Sequence, residues 1–227
     1  MTATLDAAAR LSLSNASPAI ATVVRDTGAP SAVRAAALRA FTRLESNRSA
    51  VSELLASAAG DTSEPLRLAA FKLNAELNPQ DALGQMAARL ANGTLAEQQT
   101  AYASLGELNS DAADALLADA LDRLMRREIA NEVALDLIEA AARRPTEAVK
   151  SRLAAYQEWK LPKDALSPYR ETLHGGDAAR GRRIFYENAA VACARCHQIG
   201  SDGGGNAGPK LDGLATRTTP EHWLESV

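Results

Sequence analysis

A chain of 227 residues holds one large domain or two modest ones. Its net charge of −3 is small and both signs are mixed throughout, which leaves no basic face for nucleic acid and no acidic tail. Two cysteines make no disulfide framework, and no stretch of about eighteen apolar residues offers a transmembrane helix.

The N-terminus, Met1-Thr2-Ala3-Thr4-Leu5-Asp6, has neither a basic n-region nor an apolar h-region. From there to about residue 165 the chain is rich in Ala and Leu and poor in Gly. Four segments superimpose, beginning at Ala32, Pro65, Ala96 and Ile129, with offsets of 33, 31 and 33 residues. Ala37, Ala70, Ala101 and Ala134 fall in register, as do the larger Leu38, Phe71, Tyr102 and Leu135. Phe41, Asn74, Leu105 and Ile138 follow one turn on, then Leu44, Leu77 and Leu108. Small residues recurring beside large ones suit closely stacked helices. Upstream of each segment runs a second amphipathic stretch, over 19–25, 51–59, 83–90 and 113–124. Gly28, Pro30, Gly60, Pro65, Pro79, Gly93 and Pro145 supply the breaks. Phe71 and Tyr102 read as packing residues, and Met86 and Met125 as core fillers.

This pattern resembles the HEAT and armadillo-like α-solenoids over about residues 15–160. Its period is shorter than the roughly 40–47 residues usual for HEAT, which short turns account for. The expected architecture is all-α, with a HEAT-like α-solenoid over residues 1–165. Such a solenoid offers a concave surface to a protein partner or acts as a spacer between redox modules. No exposed charged or aromatic stripe stands out, which favours the spacer.

Pro145 and Thr146 open a further helix to about Trp159, and residues 161–168 break the helical pattern. Residues 166–175 are the expected linker. Nine of the fourteen glycines fall between Gly175 and Gly213, so a new domain is expected from Gly176. Asp177 suits the N-cap of a helix from Ala178 through Phe185. Cys193-Ala194-Arg195-Cys196-His197 then reads C-x-x-C-H, the attachment sequence for a c-type haem. Two thiols one helical turn apart can each form a thioether with one vinyl group on a haem edge. The histidine that follows is placed against the iron as proximal ligand. A thioredoxin-like redox pair also uses C-x-x-C, but it wants a βαβ setting, and nothing strand-like surrounds this site. A structural zinc site needs four ligands, and beyond these three the chain offers only His174 and His222 at irregular spacing. Residues 200–206 lack the Lys-Ser/Thr of a P-loop and read as a flexible Ω-type loop. Thr219 and Pro220 start a last short helix.

From Gly176 onward the chain resembles a class I cytochrome c domain. The residues that carry the likeness are Gly176-Asp177, Gly181, Ile184-Phe185, Cys193–His197 and Gly208-Pro209-Lys210-Leu211. More narrowly, it is similar to the C-terminal haem-binding domains of large exported proteins in planctomycete-type bacteria. There a solenoid leads through G-G-D-x-x-R-G-x-x-I-F into C-x-x-C-H. The resemblance implies one covalent haem c on Cys193 and Cys196, with His197 on the iron. It gives the Pro209 carbonyl the task of accepting the His197 Nδ1–H, which fixes tautomer and ring orientation. It places Leu211 on the porphyrin, Phe185 on the haem edge, and a crossing C-terminal helix at Gly181. It also implies electron transfer rather than enzymatic turnover, with a redox partner protein or a dehydrogenase domain as the counterpart.

The expected domain over 176–227 departs from that family in two respects. No methionine follows Met125 to serve as distal ligand, and the sequence stops at Val227, before the crossing helix. Truncation is the expected reason. The alternative sixth ligand is His222, which otherwise reads as a surface residue. Haem attachment outside the cytoplasm implies a periplasmic or otherwise exported protein whose leader is not present in this chain. The leading expectation is thus an electron-transfer module within a fragment of a larger exported redox protein. Two other readings stay open: a protein-interaction scaffold with haem secondary, and a peroxidase or gas-binding site with an open sixth position. Between Arg170 and Val227 seven basic residues balance seven acidic ones, so no charge is assigned to the partner's surface.

Overall fold

The computed structural model describes residues 2–160, 163–202, 204–205 and 207–226. In chain order the helices are α1 (Thr2–Arg10), α2 (Ser17–Arg25), α3 (Ser31–Leu44), α4 (Arg48–Ala59), α5 (Glu64–Leu77), α6 (Pro79–Asn92) and α7 (Leu95–Glu107). They continue with α8 (Asp111–Met125), α9 (Ala134–Ala142), α10 (Glu147–Trp159), α11 (Ala178–Glu187), α12 (Leu214–Arg217) and α13 (Pro220–Glu225). Short 3₁₀ turns occupy Ser14–Ala16, Asn131–Val133, Ser167–Leu173 and Cys193–Arg195. The fold is all-α: no strand occurs among the described residues, only an isolated bridge between Ile199 and Asp202. No described helix is long and apolar enough to cross a membrane. Two compact units divide the chain, one of Met1–Asp119 with Glu139–Ser151, the other of Ala120–Ile138 with Arg152–Val227.

In the first unit the breaks fall where the side chains demand. Asn47 caps α4 by accepting from the Ser49 and Ala50 N–H groups. Thr94 and Glu97 close a reciprocal capping box on α7. Proline stands in the first turn of α2, α5 and α6, where a missing N–H costs nothing. The in-register segments form α3, α5 and α7, which pack successively, α3 on α5 and α5 on α7. The preceding stretches form α2, α4 and α6, each packed on the helix that follows it. Ala37, Ala70 and Ala101 are sealed inside, with Leu38, Phe71 and Tyr102 beside them. Met86 is also sealed, whereas Met125, in the second unit, is half-buried.

Charged residues recur in this core. Arg34 is buried and donates from Nη1 and Nη2 to both oxygens of Asp61, at 3.1 and 2.6 Å, and from Nε to the Val24 carbonyl. One repeat later Arg67 donates to Glu97 at 3.0 Å and to the carbonyls of Asp61 and Thr62. Arg144 donates to Asp114 at 2.6 Å and to Asn109. Each guanidinium thus bonds groups about thirty residues away, joining one helix pair to the next. Gly106 of α7 also brings backbones together: a Cβ there would lie 2.8 Å from the Ala140 Cα of α9.

The fourth segment departs from the repeat. α9 begins at Ala134, not near residue 128, after the 3₁₀ turn Asn131–Val133. The cause is the end of α8. Arg127 takes a left-handed φ of +60°, and the Glu128 N–H reaches back to the Arg123 carbonyl, a Schellman-type closure that uses up the next few residues. Ala134 stays buried, but Leu135 and Ile138 are only half-buried and Val133 and Leu137 take the core positions.

The second unit also orders most of the segment expected as linker. Leu161 and Pro162, in the expected helix break, lie outside the described residues; within the expected linker, Ser167–Leu173 is a 3₁₀ turn that buries Glu171. Glu171 accepts from the Tyr156 hydroxyl at 2.6 Å, in the last turn of α10, and from Lys160 Nζ at 3.0 Å, just past its end. Burial and the adjoining Glu171 push the Tyr156 phenol far above its ordinary pKa, so it stays protonated. α13 packs against the same 3₁₀ turn.

Candidate functional site

Gly175 and Gly176 both have positive φ, +71° and +94°, and turn the chain from the 3₁₀ segment into α11. A Cβ on Gly175 would clash with the Glu132 carbonyl, so only glycine fits that corner. Asp177 then caps α11, its carboxylate accepting from the Arg180 N–H at 2.9 Å. α11 shows solvent Ile184, 42 % exposed, and keeps Phe185 and Tyr186 half-buried, their rings meeting edge to face at 4.9 Å. Arg182 lies over the Tyr186 ring and pairs with Asp202 at 2.9 Å. At Gly181 a Cβ would meet nothing within 4 Å.

The five residues from Cys193 to His197 form one tight turn. Ala192 enters it at a left-handed φ of +47°, and the Cys193 carbonyl accepts from both the Cys196 and the His197 N–H. This closure puts the two thiols and the imidazole on consecutive corners of a single turn. Both thiols are free, Cys193 half-buried and Cys196 exposed, and His197 is half-buried. His197 Nδ1 lies 2.9 Å from the Pro209 carbonyl oxygen. A carbonyl only accepts, so Nδ1 carries the proton and the Nε2 lone pair is left for a ligand.

The described residues between 200 and 211 wrap this turn rather than hang free of it. The Gly205 N–H donates to Ala194, Gly208 to Cys196 at 2.8 Å, and Leu211 to Gln198 at 3.0 Å. A Cβ on Gly204 or Gly205 would run into the carbonyls of His197 and Arg195. One on Gly208 would stand 2.7 Å from His197 Cε1 and 2.8 Å from Nδ1. These glycines let backbone lie against the turn and the ring. Gly203 and Asn206, also in the expected Ω-type loop, lie outside the described residues. Leu211 is half-buried, and Asp212 ties the loop by accepting from the Gly200 N–H at 2.7 Å.

Residues 178–225 match the family model described as cytochrome c. This segment is a cytochrome c domain. It follows a long helical region, and neither a curated protein nor a solved structure gave a match to the chain. A cytochrome c domain implies a c-type haem and an electron-transfer role. The residues present fit that group. Among the described residues no three His, Cys, Asp or Glu side chains gather as a bare metal site. The donor set is instead two free thiols and one imidazole with its outer nitrogen unengaged, backed by a glycine-lined wall.

The expected residues of the cytochrome c domain thus fall into two groups. Cys193, Cys196, His197 and Pro209 meet in one turn and its hydrogen bond, while Phe185 lies on α11 and Leu211 on the wrapping loop. His222 sits exposed on α13, with Nδ1 3.9 Å from Glu225. Sequence reasoning missed Gly204, Gly205 and Gly208 as close-approach positions and Asp212 as a tie. Glycine clustering signalled them, but the same clustering also suits a flexible loop.

Proposed function

We propose that the chain transfers single electrons through one haem held covalently by Cys193 and Cys196, with His197 as the axial ligand. Each thiol S–H adds across one vinyl group, forming an S–C bond with no net change of oxidation state. A haem bound there supplies a one-electron Fe(III)/Fe(II) couple. The protein's part is to aim and hold. The Pro209 carbonyl keeps the proton on Nδ1 and the ring fixed, so Nε2 is the nitrogen presented to iron. Phe185, half-buried on α11, and Leu211, half-buried on the loop, would cover the haem edge and face. That single contact, His197 Nδ1 to Pro209 O at 2.9 Å within a cytochrome c domain, carries the reading.

In this reading the haem domain spans 176–227, 166–175 connects it, and 1–165 is a HEAT-like α-solenoid that carries it. The protein works outside the cytoplasm, as part of a larger exported redox protein, against a redox partner protein or dehydrogenase domain. The successive packing of α3, α5 and α7 supports the solenoid, and the free thiol pair supports covalent attachment.

The test is an absorption spectrum of the chain exported with a c-haem maturation system, oxidised, reduced and as the pyridine haemochrome. A c-type α-band that survives acid–acetone extraction is expected, and in the variant with both Cys193→Ala and Cys196→Ala any haem present should become extractable. Folded helical protein without covalent haem would overturn the assignment.

A further inference from the structure

A cavity of about 700 Å³ opens in the second unit, away from residues 193–211. Its floor is the buried cluster of Tyr156, Lys160 and Glu171, whose polar atoms satisfy one another. Leu124, Ile129 and Leu173 make the apolar part of its wall, with Trp159 43 % exposed and its ring 6.0 Å from that of Tyr156. Arg170, also in the wall, is paired with Asp164. Once these pairs are set aside, one acid and one strong base remain beside the imidazole of His174: exposed Glu221 and exposed Arg127, neither with a side-chain partner among the described residues. Arg127 stands at a left-handed φ of +60°, a position that favours glycine.

A cleft of this volume, half apolar and bordered by a few polar groups, has the make-up of a small-molecule site. Its unspent charges are one cation and one anion, so the complementary ligand is neutral overall and carries both signs. We propose that this cavity binds a small zwitterion with an apolar body, an α-amino acid with a large apolar side chain. Arg127 takes the carboxylate by a charge-assisted pair, Glu221 takes the ammonium group, and Trp159 with Leu124 and Leu173 receives the side chain.

The experiment titrates the holoprotein with L-phenylalanine by calorimetry, beside 3-phenylpropanoate, which lacks the amine, and phenethylamine, which lacks the carboxylate. Phenylalanine should bind saturably with the Soret band unchanged, which separates this site from the iron and from the haem reading. Each truncated analogue should bind about tenfold or more weakly, the loss expected for one charge-assisted hydrogen bond. Arg127→Gly removes the guanidinium and suits the backbone, so it should keep the helical circular dichroism yet lose the preference for phenylalanine over phenethylamine. Glu221→Gln should abolish the preference over 3-phenylpropanoate. No saturable binding by phenylalanine up to about 10 mM, well past the millimolar limit of weak sites, overturns the proposal. So does binding that both variants leave untouched.

Discussion

Arg34 shows how a charged side chain earns a place in an alanine-rich core. Each of its three guanidinium nitrogens has a partner, Nη1 and Nη2 on Asp61 and Nε on the Val24 carbonyl. Arg34→Ala leaves Asp61 and Val24 without that partner and should cost on the order of 3 kcal/mol in urea unfolding; a loss below about 0.5 kcal/mol, the range of ordinary surface substitutions, would show the pair to be idle. The pair also sets a pH dependence. The Arg34 guanidinium, then the Ser63 N–H, holds Asp61 below the usual carboxylate range, and Arg144 does the same for Asp114. At Glu97 burial opposes ionisation, but the Thr94 N–H, Arg67 and Arg89 outweigh it. Depressed folded values mean this stability is complete above the unfolded carboxylate pKa and is lost as pH falls through the folded one. Unfolding free energy should hold level from about pH 7 to 5 and decline below about pH 4, and Asp61→Asn should flatten that acid limb. At the haem turn, Gly208→Ala would push the imidazole off Pro209. Covalent haem per chain and the His197 Nδ1–H signal in imidazole-tuned NMR should both fall, while helicity holds.

At the scale of elements, glycine separates helix packing from helix propensity. Gly84 lies in the interior of α6 and Gly106 in the last turn of α7; propensity alone predicts a gain of up to about 1 kcal/mol on replacement by alanine at the first, and a smaller gain at the second. Gly84 faces open space, so Gly84→Ala should deliver that gain. Gly106 lies against the α9 backbone, and overpacking of about 1–3 kcal/mol should reverse the sign for Gly106→Ala. Opposite shifts in melting temperature for the two variants are the expected result; shifts of one sign would refute the close approach. The repeat was legible because α3, α5 and α7 bury what their spacing marks. It failed at α9, where the left-handed closure at Arg127 shifts the helix start, a backbone event that no hydrophobic period announces.

For the whole molecule, balanced charge sets how the cytochrome c domain meets its partners. With seven acidic and seven basic residues from Arg170 onward, long-range steering has little to work on. Reduction of the holoprotein's oxidants, one anionic and one cationic metal complex, should change less than about threefold in rate as ionic strength passes the point where the Debye length is ~10 Å. A steep dependence for one sign would reveal a charge patch that the total hides. The sequence by itself determined the helical class, the register shared by α3, α5 and α7, and the C-x-x-C-H spacing at Cys193–His197, because periodicity and motif spacing are local and survive without knowledge of neighbours. Only the tertiary structure decided that Arg34, Glu97, Asp114 and Glu171 belong inside, since their partners lie eleven to thirty residues away. It alone showed Gly204 and Gly208 as close-approach positions against His197, and gathered Arg127, Trp159 and Glu221 around one cavity. Burial of charge and close approach of backbone depend on what stands opposite, and that is a property of the folded chain.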